Sequence, residues 1–261
     1  MRRTTAAQRE RIAKSITRAV ALVVFFSAWE GFGRQVNPVL FTYPTAILGA
    51  AGEMIASGEL WQYAAPSLKV FAYGFGASIA VGIPLAVLMA RVPVIDWALD
   101  MFVAALYSTP MVALVPLLVL WFGFDALAKS VVIFLMAVFP VLINTHEGVK
   151  SVDPKLLEVA RSFGSTERML WGDVIIPSAV PFIVAGLRLA VGRALVGMVI
   201  ADFYTAIGGL GYLIVQAANG FQTDRLFVPV ILLMILGVVL MGALGWVQGR
   251  VAPWTRQEIV L

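Results

Sequence analysis

Residues 141–183 read VLINTHEGVKSVDPKLLEVARSFGSTERMLWGDVIIPSAVPFI. They join two strongly apolar runs and form the one long, charged, well-patterned connector in the chain. The segment is too polar for a bilayer and too patterned for a slack linker, so it reads as a structured docking face between membrane spans. Asp153-Pro154 is a helix start: the carboxylate caps free backbone N–H groups, and proline fits the first helical position. Leu156, Leu157, Ala160 and Phe163 follow as a helical apolar stripe, with Lys155, Glu158 and Arg161 off it. Gly164 suits a left-handed helix stop. Ser165 is placed to cap a second short helix carrying Met169, Leu170 and Trp171, and Pro177 and Pro181 bracket entry into the next span. The expectation is two short amphipathic helices hinged at one glycine, with an apolar knob that needs a partner.

Composition sets the rest of the architecture. The chain is 61% hydrophobic and only 13% charged over 261 residues. A soluble core of that size cannot hide so much apolar surface, which makes this an all-α, polytopic membrane protein. Runs long enough to span are 20–32, 68–90, 101–122, 126–143, 179–201 and 226–248, giving about six transmembrane helices. The first follows a basic start but lacks a small-x-small site, so it reads as a span and not a cleaved leader. Arg2, Arg3, Arg9, Arg11, Lys14 and Arg18 precede it. Arg91, Lys150, Lys155, Arg161, Arg168, Arg250 and Arg256 share the same side by topology. Arg34, Lys69, Lys129 and Arg225 fall on the other. The positive-inside rule therefore puts the N- and C-termini and the connector in the cytoplasm. Residues 35–66 lie outside, with a short surface helix between Pro44 and Gly58. The expected organisation is a cytoplasmic tail at 1–18, a first helix and outer segment at 19–66, a transmembrane domain at 67–250 with its loop at 145–177, and a cytoplasmic tail at 251–261. The chain shows no internal repeat. It reads as one half of a pathway, which implies a dimer.

The connector has a more specific likeness. Glu158-Val159-Ala160, three residues, Gly164, nine residues, then Val174-Ile175-Ile176-Pro177 resembles the EAA loop of bacterial ABC importer permeases, whose pattern is Glu-Ala-Ala, three residues, Gly, nine residues, Ile-x-Leu-Pro. The spacing matches throughout, and the substitutions are conservative. SGELWQYAAPSLKVFAYGFGASIAVGIPLAVL, PLLVLWFGF, VDPKLLEVARSFG, GLRLAVGRALVGMVIADF and GGLGYLI resemble the nitrate/sulfonate/taurine branch of that family. The likeness covers most of the chain after about Tyr43. That branch also imports pyrimidine precursors, bicarbonate and aromatic acids. The resemblance implies the type I ABC importer fold. It implies two ATPase subunits docked on 153–171, a second permease copy as a homodimer, and a periplasmic or lipoprotein substrate-binding protein. It implies residence in the bacterial inner membrane. Asp153, Leu157, Glu158, Ala160, Arg161, Phe163, Gly164 and Ser165 become the expected ATPase-coupling residues. The chain would bind no cofactor itself; ATP and Mg would sit on the partner ATPase.

Missing motifs agree with a non-catalytic role. No G-x-x-x-x-G-K-[ST] phosphate loop is present, and Gly208, Gly209 and Gly211 lead into Tyr212, so they mark a loop or helix break. No HExxH or metal-ligand spacing occurs. His146 is the single histidine, and beside Glu147 it reads as a hydrogen-bonded helix-end residue. No basic run interleaved with aromatics suggests nucleic acid. An ATP-independent secondary transporter is the alternative from another class; the unrepeated half and the EAA spacing oppose it.

Arg188 and Arg193 fall near the middle of the fifth span, where charge is costly. Two readings stand open: a positive pathway for an anion, or structural pairing of each with a carboxylate or with helix-end carbonyls, Asp96 and Asp100, one helical turn apart, being the candidate carboxylates. A five-residue offset points the arginines about 140° apart, against both lining one pore. Tyr107, Ser108, Thr109 and Pro110 break the third span, either to line a cavity or as a packed kink. Asp202 ends the fifth span, either to shape the outer gate or contact the binding protein, or as a solvated end charge.

Overall fold

The computed structural model describes residues 2–255; Arg256 and the rest of the expected C-terminal tail lie outside the described residues. Among the described residues every regular element is helical. The chain divides into two compact units.

One unit comprises the residues up to Trp61 together with Leu213–Ile231. Helix α1 (Arg2–Gly33) contains a 22-residue apolar span, Ile12–Gly33, whose 18-residue apolar window is not buried against the chain. Helix α2 (Pro44–Ala56) starts with proline at its first turn and stops at Ser57 and Gly58, the latter at φ +76°. The sequence reading of a short helix between Pro44 and Gly58 is borne out. Glu30 ties α1 to the start of α2, accepting from the Thr45 N–H at 3.0 Å and the Thr45 hydroxyl at 2.6 Å. Trp29 Nε1 donates to the Thr42 carbonyl at 2.9 Å. Glu59, at the start of α3 (Glu59–Arg91), pairs with Arg225, at the start of α11 (Thr223–Val251). Pro66 therefore lies inside α3 and not in an outer segment ending there.

The other unit comprises Gln62–Tyr212 and the chain from Leu232 onward. After α3 come α4 (Pro93–Ser108), α5 (Met111–Phe122) and α6 (Ala126–Lys150). The pair α4 and α5 is apolar enough to span only when taken together, and it bends by 98° at a short break. Pro110 forces the break: it excludes the helical region for Thr109, which sits at φ −70°, ψ 132°. Among the described residues five helices are long and apolar enough to cross a membrane, and the count reaches six if the bent pair serves as one span. The connector forms α7 (Pro154–Ser162) and a three-residue α8 (Glu167–Met169), followed by a π turn over Leu170–Ile175 and then α9 (Ile176–Thr205). The π turn absorbs the missing N–H of Pro177; Ile176 N–H reaches back to the Trp171 carbonyl. The expected second amphipathic helix is thus no separate element. It is the first turn of one continuous 39-residue span, Glu167–Thr205. The tenth helix, α10 (Leu210–Asn219), begins in this unit.

The core of this unit is the α6–α9 pair. Gly186 lets α9 approach so closely that a Cβ there would lie 2.8 Å from Asn144 Cβ and 2.9 Å from the Pro140 carbonyl oxygen. Val115, Leu118 and Val119 of α5 pack with Ala128, Val132 and Met136 of α6 and Ala201 of α9. Ala86 and Met89 of α3 pack with Leu142 of α6 and, partly buried, Ile95, Leu99 and Val103 of α4. Small residues at helix contacts provide the close approach that lipid-soluble helices need in place of a hydrophobic drive.

Gly186→Ala is expected to destabilise the fold by about 1–3 kcal/mol through overpacking. Gly192→Ala, where a Cβ meets nothing within 4 Å, is expected to cost nothing. Thermal unfolding of the detergent-purified variants, read side by side, checks the contrast.

Candidate coupling loop and translocation pathway

The connector folds as its sequence patterning dictates. Asp153 Oδ1 accepts from the Lys155 N–H at 2.9 Å, with Pro154 in the first turn of α7. The helix ends at Gly164, φ +81°, where the Gly164 N–H bonds the Arg161 carbonyl and the Ser165 N–H bonds the Ala160 carbonyl. That pair of bonds is the Schellman stop, and its left-handed residue is the one that glycine fits without strain. Ser165 does not cap the next helix. Thr166 does, accepting from the Met169 N–H at 3.4 Å. One residue of offset decides this, because the Schellman turn already uses Ser165 as its sixth residue.

The apolar stripe splits in two. Leu157 and Ala160 are half-buried, while Leu156, Val159 and Met169 are exposed and Phe163 is 86% exposed. The exposed apolar set is therefore Leu156, Val159, Phe163 and Met169. Glu158 and Arg161 are exposed beside it, and Arg161 reaches Glu167 at 3.5 Å across the turn. Leu170 is buried and anchors the loop to its own unit. Arg91, at the end of α3, stacks 5.6 Å over the Trp171 ring.

Within the spans, Tyr107 lies at the α4–α5 break and Arg193 holds its guanidinium 5.4 Å above the Tyr107 ring. Both are exposed on this chain. The hydroxyls of Ser108 and Thr109 are turned back onto the carbonyls of Ala104 and Ala105. Arg188 donates to Gln248 Oε1 on α11 at 2.9 Å. The two arginines thus contact different helices, as their offset requires. Neither pairs with Asp96 or Asp100, which corrects the sequence reading. Asp96 is buried against α6, within 2.8 Å of His146 Nε2 and 2.5 Å of Lys150 Nζ, and Asp100 is exposed. His146 is a hydrogen-bonded helix-end residue, as its neighbours suggested.

Asp202 is the largest correction. It is not a solvated end charge: its exposure is 0%. Lys129 Nζ meets Oδ1 at 2.7 Å; the Ser67 hydroxyl and the Gly211 N–H meet Oδ2 at 2.8 and 3.2 Å. Lys129 also donates to the Gly208 carbonyl at 2.7 Å, and the Leu210 N–H donates to Ser67 Oγ at 2.8 Å. A Cβ at Gly209 would lie 2.2 Å from the Asp202 carboxylate, so the glycines exist to let the loop close over the charge. Lys129 was placed with the outer charges on sequence; it is buried, one turn inside α6. Lys129 and Ser67 were missed as functional candidates. The available signal was a lone lysine at the head of an apolar run, combined with the G-G-x-G spacing after an in-span aspartate.

Residues 82–256 match the family of binding-protein-dependent transport system inner membrane components. The chain belongs to this family. It is 32% identical over 233 residues to a putative aliphatic sulfonates transport permease protein of Bacillus subtilis (strain 168), covering 88% of this chain and 84% of that protein. It is 29% identical over 231 residues to a formylaminopyrimidine transport permease protein of Halalkalibacterium halodurans, covering 88% and 92%. Its fold matches a chain in a crystal structure of an amino acid ABC transporter with histidines at TM-score 0.59 and 19% identity, over 76% of this chain and 97% of that one. The protein is a multi-pass permease subunit of an ABC importer, with the type I fold and of the sulfonate/taurine branch.

Asp202→Asn leaves a buried ammonium without its counter-charge and is expected to cost about 3–5 kcal/mol. Lys129→Met with Asp202→Asn removes both charges and is expected to recover most of that loss. Denaturant or thermal unfolding of the two purified variants against the parent tests the pair.

Proposed function

We propose that two copies of this chain form the translocation pathway of an importer in the bacterial cytoplasmic membrane, with both termini cytoplasmic. Two ATPase subunits, carrying ATP and Mg, dock on residues 153–171, and a soluble binding protein delivers the solute on the far side. The chain itself changes no covalent bond. The observation that carries the reading is Phe163, 86% exposed on a helix outside the apolar spans and beside exposed Leu156 and Val159. Such a set costs hydration unless a partner covers it. A groove on an ATPase is the occupant that the Glu158–Gly164–Pro177 spacing supports. Because α8 runs unbroken into α9, closure of the ATPases on α7 and α8 would be delivered directly to a membrane-spanning rod.

The solute is a small anion of the sulfonate type. Arg193 supports this: it is an exposed guanidinium on a spanning helix, beside the break at Tyr107–Pro110. An arginine at that depth persists where it faces water or a partner, and its fork matches an oxyanion. The Bacillus subtilis relative, named for aliphatic sulfonates, points the same way. A second reading, a pyrimidine precursor, is favoured by the formylaminopyrimidine relative, which matches over nearly as much of the chain.

Two measurements test these assignments. Pull-down of the tagged permease from native membranes is expected to recover an ATPase. Phe163→Ala is expected to weaken that recovery about thirtyfold, the loss of an anchor of roughly 2 kcal/mol, and Gly164→Pro to abolish it. Recovery of the permease alone, still competent in uptake, would refute the importer assembly. In proteoliposomes, Arg193→Gln is expected to raise the half-saturating taurine concentration by about tenfold, the value of one charge-assisted hydrogen bond. Uptake of a formylated aminopyrimidine in preference to taurine would replace the first solute reading with the second.

A further inference from the structure

We propose that Ser67, Lys129 and Asp202 form a positioning latch that passes displacement of the coupling loop to the Gly208–Gly211 loop at the other end of α9. This rests on the reading of α7 and α8 as the ATPase-coupling segment. The route is one piece of helix. Between Phe182 and Thr205 the rod holds no proline, and Leu170 and Asp202 are separated by about 48 Å of helix at 1.5 Å per residue.

The rod does not slide alone. Gly186 seats it on α6 at backbone distance, and a Cβ at Gly197 would lie 2.9 Å from Met136 Sδ of the same helix. Lys129 and Asp202 sit on these two helices and join them by a buried charge pair. The pair therefore moves as part of the α6–α9 body. What it holds beyond that body is a short set of directional hydrogen bonds: Ser67 of α3 to Asp202, Leu210 to Ser67, Gly211 to Asp202, and Lys129 to the Gly208 carbonyl. Hydrogen bonds weaken steeply beyond about 3.2 Å. A displacement on the order of 1 Å would release all of them together, while the stronger charge pair stays made. That is a two-state element.

The loop is built to be released. Gly208 and Gly209 stand at φ +151° and +107°, and no side chain from either fixes the turn. A cavity of about 540 Å³, lined by Lys69, Asp125, Lys129, Ile207 and Gly208, adjoins it. Water there can solvate the freed polar groups, which a dry core would not allow.

The chain has no cysteine, so Ile207→Cys, at a position 67% exposed, gives a single reporter beside the latch. Maleimide labelling of this variant is measured in the detergent-purified complex with its co-purified ATPase, without nucleotide and with ATP plus vanadate. The parent reporter is expected to label at different rates in the two states. Adding Ser67→Ala, which removes one hydroxyl and no charge, is expected to abolish the difference, with fast labelling in both. Adding Lys129→Met and Asp202→Asn together, which empties the site of charge, is expected to abolish it too. A purely structural role predicts a lowered melting temperature with the nucleotide-dependent difference intact, and that result overturns the latch. Equal labelling of the parent in both states, with ATPase bound, also overturns it while leaving the importer reading in place. Absence of any ATPase from the purified parent removes the coupling reading and the latch with it.

Discussion

A carboxylate with no solvent exposure, on a helix long enough to cross a membrane, must be neutralised or abandoned. Asp202 is neutralised, and the arrangement around it follows from that requirement. An isolated ion in a low-dielectric interior costs far more than one hydrogen bond returns. The site therefore needs a full opposite charge and donors for the remaining lone pairs. Lys129 provides the charge from α6. Ser67 provides a hydroxyl from α3, and the Gly211 amide provides the last donor. Three parts of the chain distant in sequence, α3, α6 and the end of α9 with the loop after it, meet at one carboxylate, and glycine is required at 209 and 211 because a Cβ at either would collide with Asp202. The same desolvation logic explains the second partner of the lysine, the Gly208 carbonyl.

The other charges in the spans obey a graded version of this rule. Asp96, nearly buried, has two cationic or ionisable partners on α6. Arg188, half-buried, is satisfied by a neutral amide, Gln248, since guanidinium keeps part of its hydration. Arg193 is exposed and, among the described residues, meets the face of Tyr107. Cation–π contact is worth about 0.5–1 kcal/mol at an exposed site, too little to hold a guanidinium in hydrocarbon. The less its own chain satisfies such a charge, the more a partner, water or solute must. That ordering is the physical reason for separating Arg193 from Arg188 as a pathway candidate.

How far the sequence revealed this depended on the range of the interaction. The coupling loop was legible almost residue by residue, because caps, proline at a first turn and a glycine stop are interactions within about six residues. The assignment of the second cap to Ser165 in place of Thr166 arose where two local motifs compete for the same residue. Span positions were legible from composition, and the break at Pro110 from the restriction proline places on its predecessor. The Lys129–Asp202 pair was not legible. It joins residues 73 apart, and hydropathy places each at a helix end, where charge is ordinarily solvated. Arg188 misled for a related reason: opposite formal charges invite pairing with Asp96, but helix register gave Asp96 to His146 and Lys150 first. The continuity of α8 with α9 was hidden by Pro177, which reads as a helix boundary until a π turn absorbs its missing donor.

Exposed apolar surface means different things in different parts of this chain, and the distinction bears on function. Helix α1 leaves Val20, Val23, Val24 and Phe25 more than half exposed, yet they belong to an apolar window of membrane-spanning length. Hydrocarbon can cover them with no loss, since lipid is as apolar as the side chains. Phe163 is more exposed still, and beside apolar Leu156 and Val159 the same segment exposes Glu158, Arg161 and Ser162. A bilayer that covered the ring would have to desolvate those charges and hydroxyls as well. Water covers it only at hydrophobic cost. The remaining kind of cover is a surface with an apolar pocket and a polar rim, which is the anatomy of a protein interface. An exposed ring on α7 is therefore evidence for a protein partner where a similar ring on α1 is evidence only for lipid.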